Sequence, residues 1–225
     1  MTELHPVVFL LDDEESVVVA LGRMLQASGF AVRAWTSATE FLTAHDAELP
    51  GCLVTDVRMP GMSGVELQQA LQGRGVDRSI VFITGQGDIA TTVQAMKAGA
   101  VTFLSKPVRR VELVAAVQEA IAKDAAVRAH HRELQEISRR LASLTPRERE
   151  VLDLVATGML NKQIAAELGA AEKTIKVHRG RVMEKMQVRN ATALVHLLSR
   201  AGHTELHPGS HGNGHSWRGA ILSKE

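Results

Sequence analysis

Over the first half of the chain, apolar residues gather in short runs at near-regular intervals: Val7–Leu11, Ala31–Trp35, Cys52–Thr55, Ile80–Ile83 and Val101–Leu104. Three of these runs are almost continuously apolar, as parallel strands covered on both faces require. Between them the apolar positions recur at helical spacing. Val17, Leu21, Met24 and Leu25 form one stripe, with Gly29 as its stop. Ala38, Phe41 and Leu42 form another, with Ser37 as N-cap. Val65, Leu67, Ala70 and Leu71 follow, then Ile89, Val93, Met96 and Lys97 ended by Gly99, then Leu113, Val114, Val117 and Ile121. This alternation predicts a doubly wound α/β domain with five parallel strands, whose ligand site lies at the carboxyl ends of the strands.

Past Val108 the pattern changes. Residues 108–143 contain neither Pro nor Gly, and Leu134, Ile137, Leu141 and Leu144 are spaced three, four and three. Leu113, Val117, Ala120 and Val127 extend the stripe upstream, with Asp124 and His131 interrupting it. The spacing predicts a long helix from Val108 to Arg140, about 50 Å at about 1.5 Å per residue. A flexible linker is the alternative, and so few apolar positions would seal only a weak coiled coil. A further helix begins at Thr145, with Pro146 in its first position and Glu148 completing a capping box, and stops at Gly158. Asn161–Gly169, Glu172–Met186 and Ala191–Ser199 complete an all-α, four-helix unit. Its second and third helices, joined by Gly169-Ala170-Ala171, read as a helix-turn-helix. The expected boundaries are 1–123, a helical linker 124–143, 144–202, and a tail 203–225.

Composition narrows the function classes. In 225 residues, 45% are hydrophobic and 23% charged, ordinary globular usage that excludes a disordered or collagenous chain. No apolar run is long enough to span a bilayer, and the N-terminus has no basic region of a secretory signal. The lone Cys52 cannot form an intrachain disulfide and reads as small apolar filler, compatible with the cytoplasm. The net charge of +1 conceals an asymmetry: residues 1–123 hold 10 Lys/Arg against 14 Asp/Glu, and residues 124–225 hold 16 against 11. Residues 172–189 carry six Lys/Arg and two Glu. A basic second helix in a helix-turn-helix is where a recognition helix belongs. With no Tyr and 3% aromatics there is no stacking platform for single strands, so duplex DNA is the expected partner.

In the acidic half, polar residues collect at the predicted strand ends: Asp12, Asp13, Glu14 and Glu15; then Asp56; then Thr84 and Gly85; then Ser105, Lys106 and Pro107. Carboxylates brought together repel unless a cation joins them, and hard oxygen ligands suit Mg²⁺. The plainer explanation, acids favoured at a helix start, accounts for Asp12–Glu15 but not for Asp56, Thr84 and Lys106. Leu11-Asp12-Asp13-Glu14, Thr55–Gly64, Thr84-Gly85 and Lys106-Pro107 resemble the receiver domain of two-component response regulators. The resemblance implies that Asp56 accepts a phosphoryl group from a sensor histidine kinase. It implies that Asp13, Asp56 and the Arg58 carbonyl ligate Mg²⁺, with Asp12 acting through water. It further implies that Thr84 binds the phosphoryl oxygen, that Lys106 pairs with it, and that Pro107 follows a cis bond. Phe103 stands at the family's switch-aromatic position or is simply a core residue. A phosphatase of the haloacid-dehalogenase type also phosphorylates an aspartate, but its acid/base aspartate would stand where this chain has Arg58. A dinucleotide fold is disfavoured because no Gly-rich turn follows the first strand.

Residues 144–199 resemble the LuxR-type DNA-binding domain, on Leu144-Thr145-Pro146-Arg147-Glu148, Asn161–Ala165, Thr174–His178 and Lys185-Met186. The whole chain thus resembles the FixJ/NarL class of response regulator. By position, Lys176, Val177 and Gly180 would face bases, while Lys162, Thr174, His178, Arg179 and Arg181 would hold phosphates. Gly180 departs from relatives that carry a basic residue there; it offers no side-chain contact and costs about 1 kcal/mol of helix propensity against Ala. The implied protein is a transcription factor, not an enzyme beyond its own phosphoryl transfer and dephosphorylation. Its implied state when phosphorylated is a homodimer formed through Ile89–Leu104, with RNA polymerase as a further partner. The competing reading is a DNA-binding module with a vestigial receiver. His203, His207, His211 and His215 recur every fourth residue, a metal-like spacing, but Pro208, Gly209, Gly212 and Gly214 argue for a disordered tail.

Overall fold

The computed structural model describes residues 5–85 and 101–202. The helical stripe at Ile89–Gly99, most of the Ile89–Leu104 face and the histidine-rich tail lie outside the described residues. The chain divides into two compact units between Arg128 and Ala129.

The first unit holds β1 (Val7–Leu11), α1 (Glu15–Gln26), β2 (Ala31–Trp35), α2 (Ala38–Ala44), β3 (Gly51–Asp56), α3 (Gly64–Gly73), β4 (Ser79–Thr84) and β5 (Thr102–Ser105). The strands form one parallel sheet in the order β2-β1-β3-β4-β5. Strands β1 and β3 are buried along their whole length, which is why their sequences read as unbroken apolar runs. Alternate residues feed opposite faces. Phe9, Leu11, Leu53, Ile80 and Phe82 pack with Phe41, Leu67 and Leu71 from α2 and α3. Val8, Leu10, Cys52, Val54, Val81 and Ile83 pack on the other face with Leu21 and Leu25 from α1 and with Leu113 and Val117. Burial pushes the Cys52 thiol up to about 12, so it is inert filler, as expected. Edge strand β2 is mostly exposed and carries Arg33 outward, a charge that discourages edge pairing.

Leu113 and Val117 belong to α4 (Arg110–Ala142), a single helix of 33 residues. The predicted long helix is therefore present, and the flexible alternative is not. Leu113, Ala116, Val117 and Ala120 join the core of the first unit, whereas Ile137 and Leu141 join the core of the second. Between them Ala129, His130, His131 and Arg132 are all exposed.

Asp124, which breaks the apolar stripe, has a structural reason. It is buried, accepts the Gly51 N–H at 3.0 Å and the Arg128 Nε at 2.8 Å, and pairs with the buried Arg78 at 3.5 Å. The two guanidiniums donate in turn to the carbonyls of Asp46, Ala47, Glu48, Leu49 and Gly51. This ionic clamp fastens the 45–51 connection to α4 at the end of the sheet opposite the strand carboxyl ends.

The second unit contains α5 (Pro146–Ala156), α6 (Asn161–Glu167), α7 (Glu172–Met186) and α8 (Ala191–Arg200) around Val151, Leu152, Ile164, Ile175, Val182, Met186 and Leu194. Thr145 and Glu148 form the expected capping box, with Pro146 in the first turn. Such a cap contributes about 1 kcal/mol.

Candidate functional site

The strand order makes the site. Because the chain steps outward from β1 to β2 and then crosses to β3, β1 and β3 are neighbours whose crossovers leave on opposite faces, and their carboxyl ends flank a crevice. Asp12 and Asp13 follow β1, and Asp56 ends β3. One carboxylate oxygen from each of the three lies within 4.8 Å of the others. Asp12 is fully buried, and its Oδ1 accepts the Glu14 N–H at 3.0 Å. Asp56 is 8% exposed, and its Oδ1 accepts the Arg58 N–H at 3.0 Å. These backbone bonds aim both side chains. The Lys106 Nζ, delivered by the turn after β5, donates to Asp12 Oδ2 at 2.9 Å and to Asp56 Oδ2 at 2.5 Å. Glu14 lies further out, 3.9 Å from the same ammonium. Partial burial works against the Lys106 charge, but hydrogen bonds and attraction from Asp56 and Asp12 outweigh it and hold its pKa above the ordinary lysine value. The Lys106 N–H donates to the Thr84 carbonyl at 2.8 Å, which sets the two strand ends side by side, and the Lys106-Pro107 bond is cis as expected.

Three carboxylates against one ammonium leave a net negative crevice. The oxygens are close enough to share one octahedral ion, whose ligands at about 2.1 Å would stand about 3–4 Å apart. The donor set is all hard oxygen, so the residues fit Mg²⁺.

Thr84 is half-buried at the end of β4, and its hydroxyl donates to the Gly85 carbonyl at 3.2 Å. Phe103 is half-buried and stacked on Phe82 with ring centroids 5.1 Å apart. Gly64 was not singled out from the sequence, yet it borders the acceptor. A Cβ there would stand 2.3 Å from the Asp56 carbonyl oxygen and 3.0 Å from the Phe82 ring, so only glycine lets α3 begin against the end of β3.

The second unit presents α7. Ile175, Val182 and Met186 bury its inner face. Thr174, Lys176, Val177, Gly180 and Arg181 are exposed, as is Lys162 on α6. A Cβ at Gly180 would meet nothing within 4 Å, so packing does not demand glycine there. His178 and Arg179 are half-buried. The His178 Nδ1 is buried without a hydrogen-bond partner among the described residues, and an Arg179 Nη1 reaches Asn161 Oδ1 at 3.0 Å.

In the last turn of α7, Lys185 donates to the buried Glu148 at 2.6 Å and to the Ser143 carbonyl at 3.0 Å. The Lys185 hydrogen bond, then the Thr145 N–H, lowers the Glu148 pKa to about 2 from 4.5. A carboxyl depressed by folding contributes stability above its unfolded pKa that is lost as pH falls toward its folded pKa. Glu148→Gln is therefore expected to lower the unfolding midpoint at neutral pH and to close the gap to wild type between about pH 4.5 and 2. Thermal unfolding of the full chain followed by circular dichroism across that range measures it; a constant gap would contradict the assignment.

A doubly wound domain with an acidic crevice and a lysine at its strand ends, joined by one helix to a helix-turn-helix unit, defines a receiver coupled to a DNA-binding output. Comparison with known proteins agrees. Residues 8–118 match the response regulator receiver domain, and residues 142–198 match the bacterial regulatory proteins of the luxR family. The chain is 43% identical over 203 residues to Nodulation protein W of Bradyrhizobium diazoefficiens, covering 88% of this chain and 89% of that one. It is 40% identical over 202 residues to Transcriptional regulatory protein FixJ of Azorhizobium caulinodans, covering 90% and 95%. Among solved structures, response regulator StyR superposes with a TM-score of 0.81 at 45% identity, over 87% of this chain and 99% of that one. The chain belongs to the two-component response regulators that carry a luxR-type DNA-binding domain. No helix among the described residues is long and apolar enough to cross a membrane.

Proposed function

We propose that this regulator is switched by a phosphoryl group accepted on Asp56 from a sensor histidine kinase in the cytoplasm, and that the phosphorylated chain dimerises on promoter DNA to control transcription. The observation that carries the reading is the buried Asp56 carboxylate held at 2.5 Å from the Lys106 ammonium, beside Asp12 and Asp13. An Asp56 oxygen attacks phosphorus as the P–N bond to the donor imidazole breaks. Such a transfer needs positioning and charge neutralisation more than covalent help. Asp13, Asp56 and the Arg58 carbonyl would hold Mg²⁺, with Asp12 acting through water; when bound, the ion would supply charge neutralisation at the phosphoryl oxygens. Lys106 shifts from the carboxylate to the phosphoryl oxygen, and the Thr84 hydroxyl donates to another. Phe103 follows Thr84. RNA polymerase is the downstream partner, and the chain's chemistry is confined to gaining and losing its own phosphoryl group. The boundaries 1–123, 124–143, 144–202 and 203–225 remain our proposed division, with Asp124 and Arg128 clamped to the receiver.

The phosphoryl group acts by shifting an existing equilibrium toward the dimerising form. Sedimentation of the full chain at micromolar concentration, with Mg²⁺ and a small acyl phosphate, is expected to show a dimer that the untreated chain does not form. A phosphorylated chain that stays monomeric both free and on DNA would overturn the switch.

A further inference from the structure

We infer that Arg179 sets the placement of the recognition helix rather than holding a DNA phosphate, an inference that rests on α7 being the DNA-reading element. Arg179 lies between the exposed Lys176-Val177 pair and the exposed Arg181, yet its guanidinium turns inward. An Nη1 donates to Asn161 Oδ1 at 3.0 Å and to the Met159 carbonyl at 3.4 Å. Both acceptors belong to the entrance of α6, and that entrance has no side-chain cap of the usual kind. Leucine occupies the N-cap position, and its N–H is satisfied only by the Gln163 side chain reaching back at 2.8 Å. A hydrogen bond from a guanidinium is worth about twice a neutral one, so Arg179 ties α7 to the start of α6 more firmly than a neutral donor would.

The tie matters for reading bases because the two helices contact DNA at different places. Lys162 follows Asn161 directly and stands exposed on α6, while Lys176 and Val177 stand exposed one turn before Arg179 on α7. Backbone contacts fix register, and base contacts then need side chains placed to within a fraction of an ångström. Arg179 holds the fixed spacing between those two sets. From the sequence, an arginine in a basic recognition helix looks like a phosphate anchor; the contact with Asn161 is what points instead to a positioning role.

The test is a set of full-length variants titrated at several salt concentrations on a selected site and on its scrambled duplex. For Arg179→Ala, affinity for the selected site is expected to fall about tenfold, with scrambled DNA bound within twofold of wild type and the salt slope unchanged. Asn161→Ala should give the same pattern, and the double variant should lose no more than either single one. Arg179→Lys should behave as Arg179→Ala, because the lysine ammonium keeps the charge but ends one bond short of the Nη1 that reaches both acceptors. Asn161→Asp, which keeps the acceptor, should keep the wild-type preference for the selected duplex over the scrambled one, while its added charge weakens both alike. The inference is overturned if Arg179→Ala weakens both duplexes equally with the slope reduced by about one, the signature of a lost phosphate contact. It is also overturned if both duplexes weaken equally at constant slope with a lowered unfolding midpoint, the signature of general destabilisation, or if Arg179→Lys binds like wild type. A wild-type chain that prefers no duplex would sink the DNA-reading assignment of α7 itself, before any variant is compared.

Discussion

Asp56→Asn is expected to leave the chain unlabelled by a small phosphodonor, a loss of at least about a hundredfold in transfer rate by the scale of removed nucleophiles. The amide is close in size to the carboxylate and can still accept the Arg58 N–H, so the fold should survive. What it loses is the nucleophilic lone pair at full negative charge and the affinity for a hard cation. It also loses the charge that draws Lys106 to 2.5 Å. Intact mass measurement with Mg²⁺ and acyl phosphate reads the result directly. Lys106→Ala separates acceptance from switching: Asp12, Asp13 and Asp56 remain, so Mg²⁺ should still bind, while the phosphoryl charge lacks its partner and dimerisation should fail. Wild-type labelling of Asp56→Asn would show that the acceptor lies elsewhere. Wild-type dimerisation of phosphorylated Lys106→Ala would remove Lys106 from the switch.

Lys176→Ala should weaken binding to the selected site by about 1–3 kcal/mol more than binding to scrambled DNA, the worth of one good base contact. Lys176 is exposed at the outer face of α7 beside the half-exposed Val177, with Ile175 buried behind it. Arg181, exposed on the same helix, is assigned to a phosphate, and Arg181→Ala should weaken both duplexes alike and lower the salt slope by about one unit. Titrations on both duplexes from low to physiological salt separate the two. Equal losses for Lys176→Ala on both duplexes, with a shallower slope, would make Lys176 an anchor and reassign the reading face of α7.

Much of the local architecture was legible before any fold was known, because its causes are local. The buried runs of β1 and β3 are apolar at every position since both faces are covered. The Thr145-Pro146-Glu148 cap needs only residues three apart, and α7 spans Glu172–Met186 as its pattern indicates. The motif residues at the strand ends, read against the family, also named the acidic crevice. Three things lay beyond that reading. The sheet order that makes β1 and β3 neighbours depends on which hydrophobic face each crossover covers, and it alone puts Lys106 onto Asp12 and Asp56, 94 and 50 residues away. Asp124 reads as a flaw in an apolar stripe until Gly51 and Arg78, at the starts of β3 and β4, meet it in the fold. Arg179 carries the same charge as Arg181, and only the packing of α6 against α7 turns one inward and leaves the other exposed. Periodicity reports which side of an element is buried because burial repeats with the helix or strand. Which distant polar group will meet a given side chain repeats with nothing along the chain, so the tertiary structure alone decides it.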